Sequence, residues 1–110
     1  MATAKDFSRL GDIEEVSRYI LVRDDGYVVN NNNDDDVALS SSIVTTGQYC
    51  DSLAKDLAGR KYIYCCVERA SGNDIMVFSL GKYYLGVIKH VNTTSEQLAE
   101  AVIIFLKEIS

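Results

Sequence analysis

Apolar positions cluster most densely over residues 60–90, RKYIYCCVERASGNDIMVFSLGKYYLGVIKH. Three apolar runs, at residues 62–68, 75–80 and 83–90, are separated by Ser71-Gly72-Asn73-Asp74 and by Gly81-Lys82. Runs rich in β-branched and aromatic residues, punctuated by Gly, Asn and Asp, predict strands and turns. Connections this short join antiparallel neighbours, because a parallel crossover needs a dozen or more residues. Both alternating rows of the runs are apolar. Ile63, Cys65 and Val67 oppose Tyr62, Tyr64 and Cys66, and Ile75 and Val77 oppose Met76, Phe78 and Leu80. Such a sheet is covered on both faces.

The rest of the chain supplies partners for this meander. Residues 1–10 predict a short amphipathic helix with Phe7 and Leu10 on one face, ended or bent by Gly11 and Asp12, with residues 13–16 adding a further turn. Residues 19–23 and 27–29 flank Asp24-Asp25-Gly26, a strong hairpin signal. Residues 30–36 read NNNNDDD. A calcium loop needs a Gly at its sharp turn and a distal acid, and this stretch has neither. It reads as a flexible polar loop whose aspartates open the next helix.

Residues 37–58 predict a long helix with Leu39, Ile43, Cys50, Leu53 and Leu57 on its buried side and Gly59 closing it. Its other side carries Ala38, Ser41, Ser42, Thr45, Tyr49 and Ser52, small or hydroxylated residues with no charge until Asp56. A helix facing water normally carries charges there, so this stripe predicts a face covered by a second subunit or a partner, with a merely polar solvent face as the alternative. Residues 94–110 form the last helix. Thr94 and Gln97 make a capping box. Leu98, Val102, Phe105, Leu106 and Ile109 form its buried stripe, with Ala99 and Ile103 beside them. The order α-β-β-α-β-β-β-α describes an α+β fold, a five-stranded antiparallel sheet with helices packed on it, in one domain over residues 1–110.

Composition narrows the function. A chain of 110 residues that is 47% hydrophobic can fold around its own core without disulfides or metal. A net charge of −5 argues against nucleic acid, which needs a basic footprint, and against an anionic membrane surface. The sequence has no signal segment and no run of about 18 apolar residues, which reads as a soluble cytoplasmic protein with Cys50, Cys65 and Cys66 reduced. The cysteines lack CxxC spacing, and the lone His90 lacks the clustered ligands of a metal site. No phosphate-binding loop or nucleophile elbow occurs. These readings point to a protein that is not an enzyme and takes no cofactor.

The order of elements, together with three local patterns, resembles the Roadblock/dynein light-chain family. The patterns are Phe7-Ser8-Arg9-Leu10 followed by Ile13-Glu14-Glu15-Val16, then Ile20-Leu21-Val22-Arg23-Asp24-Asp25-Gly26-Tyr27-Val28-Val29, and then Ile75-Met76-Val77-Phe78-Ser79-Leu80-Gly81 with Tyr84-Leu85-Gly86-Val87-Ile88. The resemblance implies a homodimer whose long helices pair antiparallel and whose following strand pairs with its twin. The implied interface is Ser41, Ser42, Thr45, Tyr49 and Ser52 on the helix, with Tyr62, Tyr64 and Cys66 on the strand. It also implies a non-enzymatic adaptor, scaffold or regulator of a Ras-like small GTPase. An activator would supply an arginine finger, for which Arg9, Arg18, Arg23, Arg60 and Arg69 qualify by residue type. The alternatives are a small-molecule-sensing α+β domain, which needs a cavity with convergent polar groups, and a structural scaffold subunit.

Overall fold

A computed structural model describes residues 5–33, 38–58, 64–68, 70 and 74–109. The chain forms a 3-10 helix (Asp6–Asp12), β1 (Val16–Arg23), β2 (Val28–Asn31), α1 (Ser40–Ala58), β3 (Tyr64–Val67), β4 (Ile75–Ser79), β5 (Tyr83–Lys89) and α2 (Ser95–Ile109). The five strands make one antiparallel sheet in the order β2-β1-β5-β4-β3. The expected α+β architecture is therefore present. The first and last strands of the chain's core, β1 and β5, are central, and β2 and β3 are the edges.

Strand alternation divides the core into two layers. Tyr19, Leu21, Met76, Phe78, Leu85 and Val87 face the N-terminal 3-10 helix and α2, where they meet Phe7, Leu10, Leu98, Val102 and Phe105. Ile20, Val22, Val77 and Tyr84 face α1 and meet Ile43 and Val44. The short first helix is 3-10, which brings residues three apart into line. Phe7 and Leu10 are accordingly both buried, and the Phe7 ring packs edge-on to Phe105 with centroids 6.2 Å apart. The helix ends at Gly11 and Asp12, as expected, and β1 begins at Val16, three residues earlier than the apolar run alone indicates.

The hairpin between β1 and β2 turns at Asp24-Asp25-Gly26, with Gly26 at φ 95°. Its second strand runs further than expected. Asn30 and Asn31 lie opposite Leu21 and Ile20 in the ladder, so the polar stretch is part of the sheet and not a loop from Asn30 onward. Asparagine is tolerated here because its side chains close the end of the ladder. The Tyr19 N–H donates to Asn32 Oδ1 at 2.9 Å, the Tyr19 hydroxyl donates to Asn30 Oδ1 at 3.3 Å, and Asn30 Nδ2 donates to Ser8 Oγ at 3.2 Å. The expected helix-opening aspartates, residues 34–36, lie outside the described residues, as do Val37, Gly59 and the turn at residues 71–73.

The capping box of α2 is present. The Thr94 N–H donates to Gln97 Oε1 and the Gln97 N–H to Thr94 Oγ1, both at 3.1 Å. Each side chain thus satisfies a backbone donor that the helix itself leaves open. Because α2 carries Leu98, Val102 and Phe105 into the core, fraying its first turn loosens that layer. Thr94→Ala is expected to lower stability by about 1 kcal/mol, read as a fall in melting temperature of about 4–8 °C.

Candidate functional site

The long helix α1 lies across β4, β1 and β5, and two glycines set how close it comes. At Gly47 an added Cβ would stand 2.3 Å from a Tyr84 ring carbon, and at Gly86 it would stand 2.5 Å from Ile43 Cδ1. Asp51, one turn after Gly47, accepts from the Tyr84 hydroxyl at 2.6 Å and from the Ser79 hydroxyl at 3.2 Å. Gln48 Nε2 donates to the Asp24 carbonyl at 3.4 Å. Helix, β4 and β5 are thereby fixed in rotation as well as in height.

This polar anchor has two measurable consequences. Tyr84→Phe leaves one Asp51 oxygen without its partner inside a packed layer. It is expected to cost about 1.5–3 kcal/mol, measured by urea denaturation. Burial and then the Asp51 carboxylate raise the Tyr84 phenol well above its usual range. Burial, with Cys50 beside it, pushes the Cys65 thiol up to about 12. Both groups ionise at lower pH when unfolded. Their contribution is complete below the unfolded thiol value of 9.0 and fades as pH rises toward 12. The melting temperature is expected to fall progressively above pH 9, and the part of that fall above pH 10 is expected to shrink in Tyr84→Phe.

Fixing the inner side of α1 determines what its outer side presents. Ile43, Val44 and Gly47 are buried, and Cys50, Asp51 and Ala54 are half-buried. Leu53 and Leu57 are not on the buried side as expected. They are 45% and 76% exposed. The apolar period continues past the end of the sheet contact, and the space against the sheet is taken by Gly47 and Asp51, residues that a hydrophobic count ignores. Ser41, Ser42, Thr45, Tyr49 and Ser52 are all exposed, and Tyr49 is 68% exposed. Tyr49, Leu53 and Leu57, spaced by four, extend this stripe as one apolar line along the helix.

The neighbouring edge strand is also apolar. β3 is hydrogen-bonded to β4 alone among the described strands. Tyr64 is 39% and Val67 43% exposed. Tyr62 lies outside the described residues. Tyr64 and Cys66 point to the α2 side of the sheet, where Tyr64 meets the Phe78 ring with centroids 5.5 Å apart and Cys66 Sγ lies 3.9 Å from Ser95 Oγ. Cys65 and Val67 point to the α1 side, opposite Val77 and Ile75. Val67, not Tyr64 or Cys66, therefore continues the side of the sheet that α1 occupies. Sequence reasoning missed the exposure of Leu53 and Leu57, for which the fourfold spacing from Tyr49 was the available signal.

Two arginines elsewhere are paired with nearby carboxylates. Arg23 makes a two-pronged pair with Asp25, at 3.0 and 2.7 Å, and lies 5.0 Å from the centroid of the Tyr27 ring. That hydrogen bonding raises the guanidinium and holds Asp25 below the usual carboxylate range. Arg9 pairs with Glu108 at 3.6 Å and lies over Phe105, and Arg18 has a partner as well. Arg60 and Arg69 lie outside the described residues. A cleft of about 490 Å³ runs between the 3-10 helix and α2, lined by Arg9, Asp12, Ile13, Ala101, Ile104, Phe105 and Glu108. Two of its charged groups, Arg9 and Glu108, bind each other rather than converging on its space. Among the described residues no group of three or more His, Cys, Asp or Glu is placed to hold a metal ion, and no helix is long and apolar enough to cross a membrane.

No protein-family model and no curated protein matches the sequence. Solved structures do. A Roadblock/LC7 domain from Streptomyces avermitilis superposes with a TM-score of 0.80 at 15% identity, covering 99% of this chain and 95% of that one. The fold is that of Roadblock/LC7 domains. Myxococcus xanthus MglB matches the Roadblock fold of this chain with a TM-score of 0.73 at 16% identity, over 94% of this chain and 78% of that one. Profilin from Schizosaccharomyces pombe gives 0.66 at 16% identity over 94% and 90%. Within the Roadblock fold of this chain, the exposed apolar line of α1 and the β3 edge are surfaces that the described residues leave uncovered.

Proposed function

We propose that this chain is a dimeric binding module that acts by association rather than by chemistry, and that its dimer docks a Ras-like small GTPase as a scaffold or regulator. The observation that carries the dimer is the concentration of exposed large apolar side chains, Tyr49, Leu53, Leu57, Tyr64 and Val67, on α1 and β3. An uncovered apolar edge strand is an aggregation hazard that pairing with a twin removes, and an apolar helix face gains from burial against its copy. The Roadblock fold supports the same reading. MglB, which shares that fold, has been solved in a tetrameric arrangement. The GTPase partner follows from the resemblance of the sequence to Roadblock domains. The local pairing of Arg9 and Arg23 favours a platform over a donor of an arginine finger from these two positions.

Light scattering across a wide concentration range tests the first half of the proposal. The expected mass is twice 12.2 kDa. A monomer that persists at the highest concentrations overturns it. The second half is tested by titrating purified Ras-like GTPases, loaded with a GTP analogue or with GDP, onto the dimer. Binding that depends on the nucleotide supports a regulator, binding indifferent to it supports a scaffold, and no binding across a panel removes the GTPase from the proposal.

A further inference from the structure

A row of exposed side chains crosses one end of the sheet. The Arg23 N–H donates to the Tyr27 carbonyl at 2.8 Å, and Arg23 is the register partner of Tyr83. Tyr27, Arg23 and Tyr83 therefore lie side by side at the ends of β2, β1 and β5. Their neighbours Val22 and Tyr84 face α1, so alternation turns Arg23 and Tyr83 to the opposite face. The Tyr27 ring joins them there, with the Arg23 guanidinium carbon 5.0 Å from its centroid. Tyr27 is 61% and Tyr83 39% exposed. Asp25 stiffens the row. It holds the guanidinium in the two-pronged pair and accepts the Tyr27 N–H at 3.1 Å. Tyrosine and arginine are the residue types of binding hot spots, and anchors already held in place lose little freedom on binding.

The electrostatics and spacing of the row select its occupant. Asp25 cancels the charge of Arg23, so the row does not call for an anion. It calls for hydrogen-bond acceptors. Only two of the five guanidinium N–H groups go to Asp25, and among the described residues neither tyrosine hydroxyl has a hydrogen-bond partner. The two rings stand on either side of Arg23, two strand spacings or about 9.6 Å apart. A polyproline II segment repeats every three residues at about 9.3 Å, and its backbone makes no internal hydrogen bonds. Its prolines carry no N–H, so it presents carbonyl acceptors to a surface of donors. This chain contains no proline, so the occupant is neither one of its own segments nor a second copy. We propose that Tyr27, Arg23 and Tyr83 form a docking site for a proline-rich segment of a partner protein. The segment lies across the strands, with residues three apart stacked on the two rings and a carbonyl between them accepting from Arg23. The row is on the other face of the sheet from α1 and on the half remote from β3. The dimer proposed above does not cover it, and the site does not depend on that dimer.

The test is titration of the isotope-labelled full chain with a synthetic decaproline peptide, read by amide chemical shifts, with a glycine-serine peptide of equal length as control. Saturable shifts centred on Tyr27, Arg23 and Tyr83, absent with the control, are expected. Tyr27→Ala and Tyr83→Ala should each weaken binding about tenfold, the loss of one aromatic anchor. Both side chains are exposed, and circular dichroism checks that each variant is folded. Ile104→Ala, in the cleft between the 3-10 helix and α2, should bind as the native chain does. No shift at millimolar peptide, an equal response to the glycine-serine peptide, shifts centred on that cleft, or undiminished affinity when Tyr27→Ala and Tyr83→Ala are combined would each overturn the proposal.

Discussion

Replacing Tyr49 and Leu53 together by glutamate is expected to leave a folded chain that no longer dimerises. Both side chains are exposed and make no internal anchor, so the cost to the fold should stay near that of ordinary surface substitutions, about 0.5 kcal/mol. Association should suffer far more. In an antiparallel pairing of identical helices each contact occurs twice, and Tyr49 stands at the midpoint of α1, where a residue comes closest to its own twin. Glutamate there removes two aromatic anchors and places like charges near each other. A weakening of dimerisation by about a thousand-fold or more is expected, because two anchors at about 2 kcal/mol each give a factor of that size. Sedimentation equilibrium with a parallel circular dichroism melt checks both halves. A variant that stays dimeric with an unchanged melt would move the interface away from α1.

Gly47→Ala is expected to destabilise the protein, against the usual sign for that exchange in a helix. By propensity alone alanine should gain about 1 kcal/mol in a helix interior. Here the new methyl group would meet two Tyr84 ring carbons at 2.3 and 2.4 Å. The ring is 4% exposed and its hydroxyl is held by Asp51, so it has no free direction in which to swing. Overpacking of this kind costs about 1–3 kcal/mol. The expected melting temperature falls by about 5–15 °C. Shortening the obstacle with Tyr84→Leu should recover part of the loss in the double variant, and the double-mutant cycle measures that coupling directly. A rise in melting temperature for Gly47→Ala would show that helix and sheet are further apart than described.

These two positions also show how much was legible in the chain. The strands, the Asp24-Asp25-Gly26 turn and the Thr94–Gln97 cap follow from local chemistry and stand where the residues place them. That Ser41, Ser42, Thr45 and Ser52 lie on the side of α1 away from the sheet was legible too, because the helical period sets them opposite Ile43. The inner side of α1 was legible at Leu39, Ile43 and Cys50 but not beyond them. Hydrophobic counting assigned Leu53 and Leu57 to the core, whereas the helix seats itself through Gly47 and Asp51, neither of them apolar. A glycine in mid-helix was the clue, since it costs stability unless something needs the room. Asn30 and Asn31 misled for a related reason. Their composition signals a loop, but β1 offers a long ladder and the asparagine amides finish it.

The central pairing of β1 with β5 has a consequence for how the protein is made. Val16 meets Lys89 and Arg23 meets Tyr83, so the middle of the sheet joins the first strand to the fifth. During synthesis the first hairpin and α1 leave the ribosome long before β5 exists to receive them. Neither core layer can close until then, and the nascent chain waits with its apolar surfaces uncovered. Folding therefore waits for β5, on the slower timescale of topologies dominated by distant contacts, and a ribosome stalled before residue 83 holds a chain without its central strand.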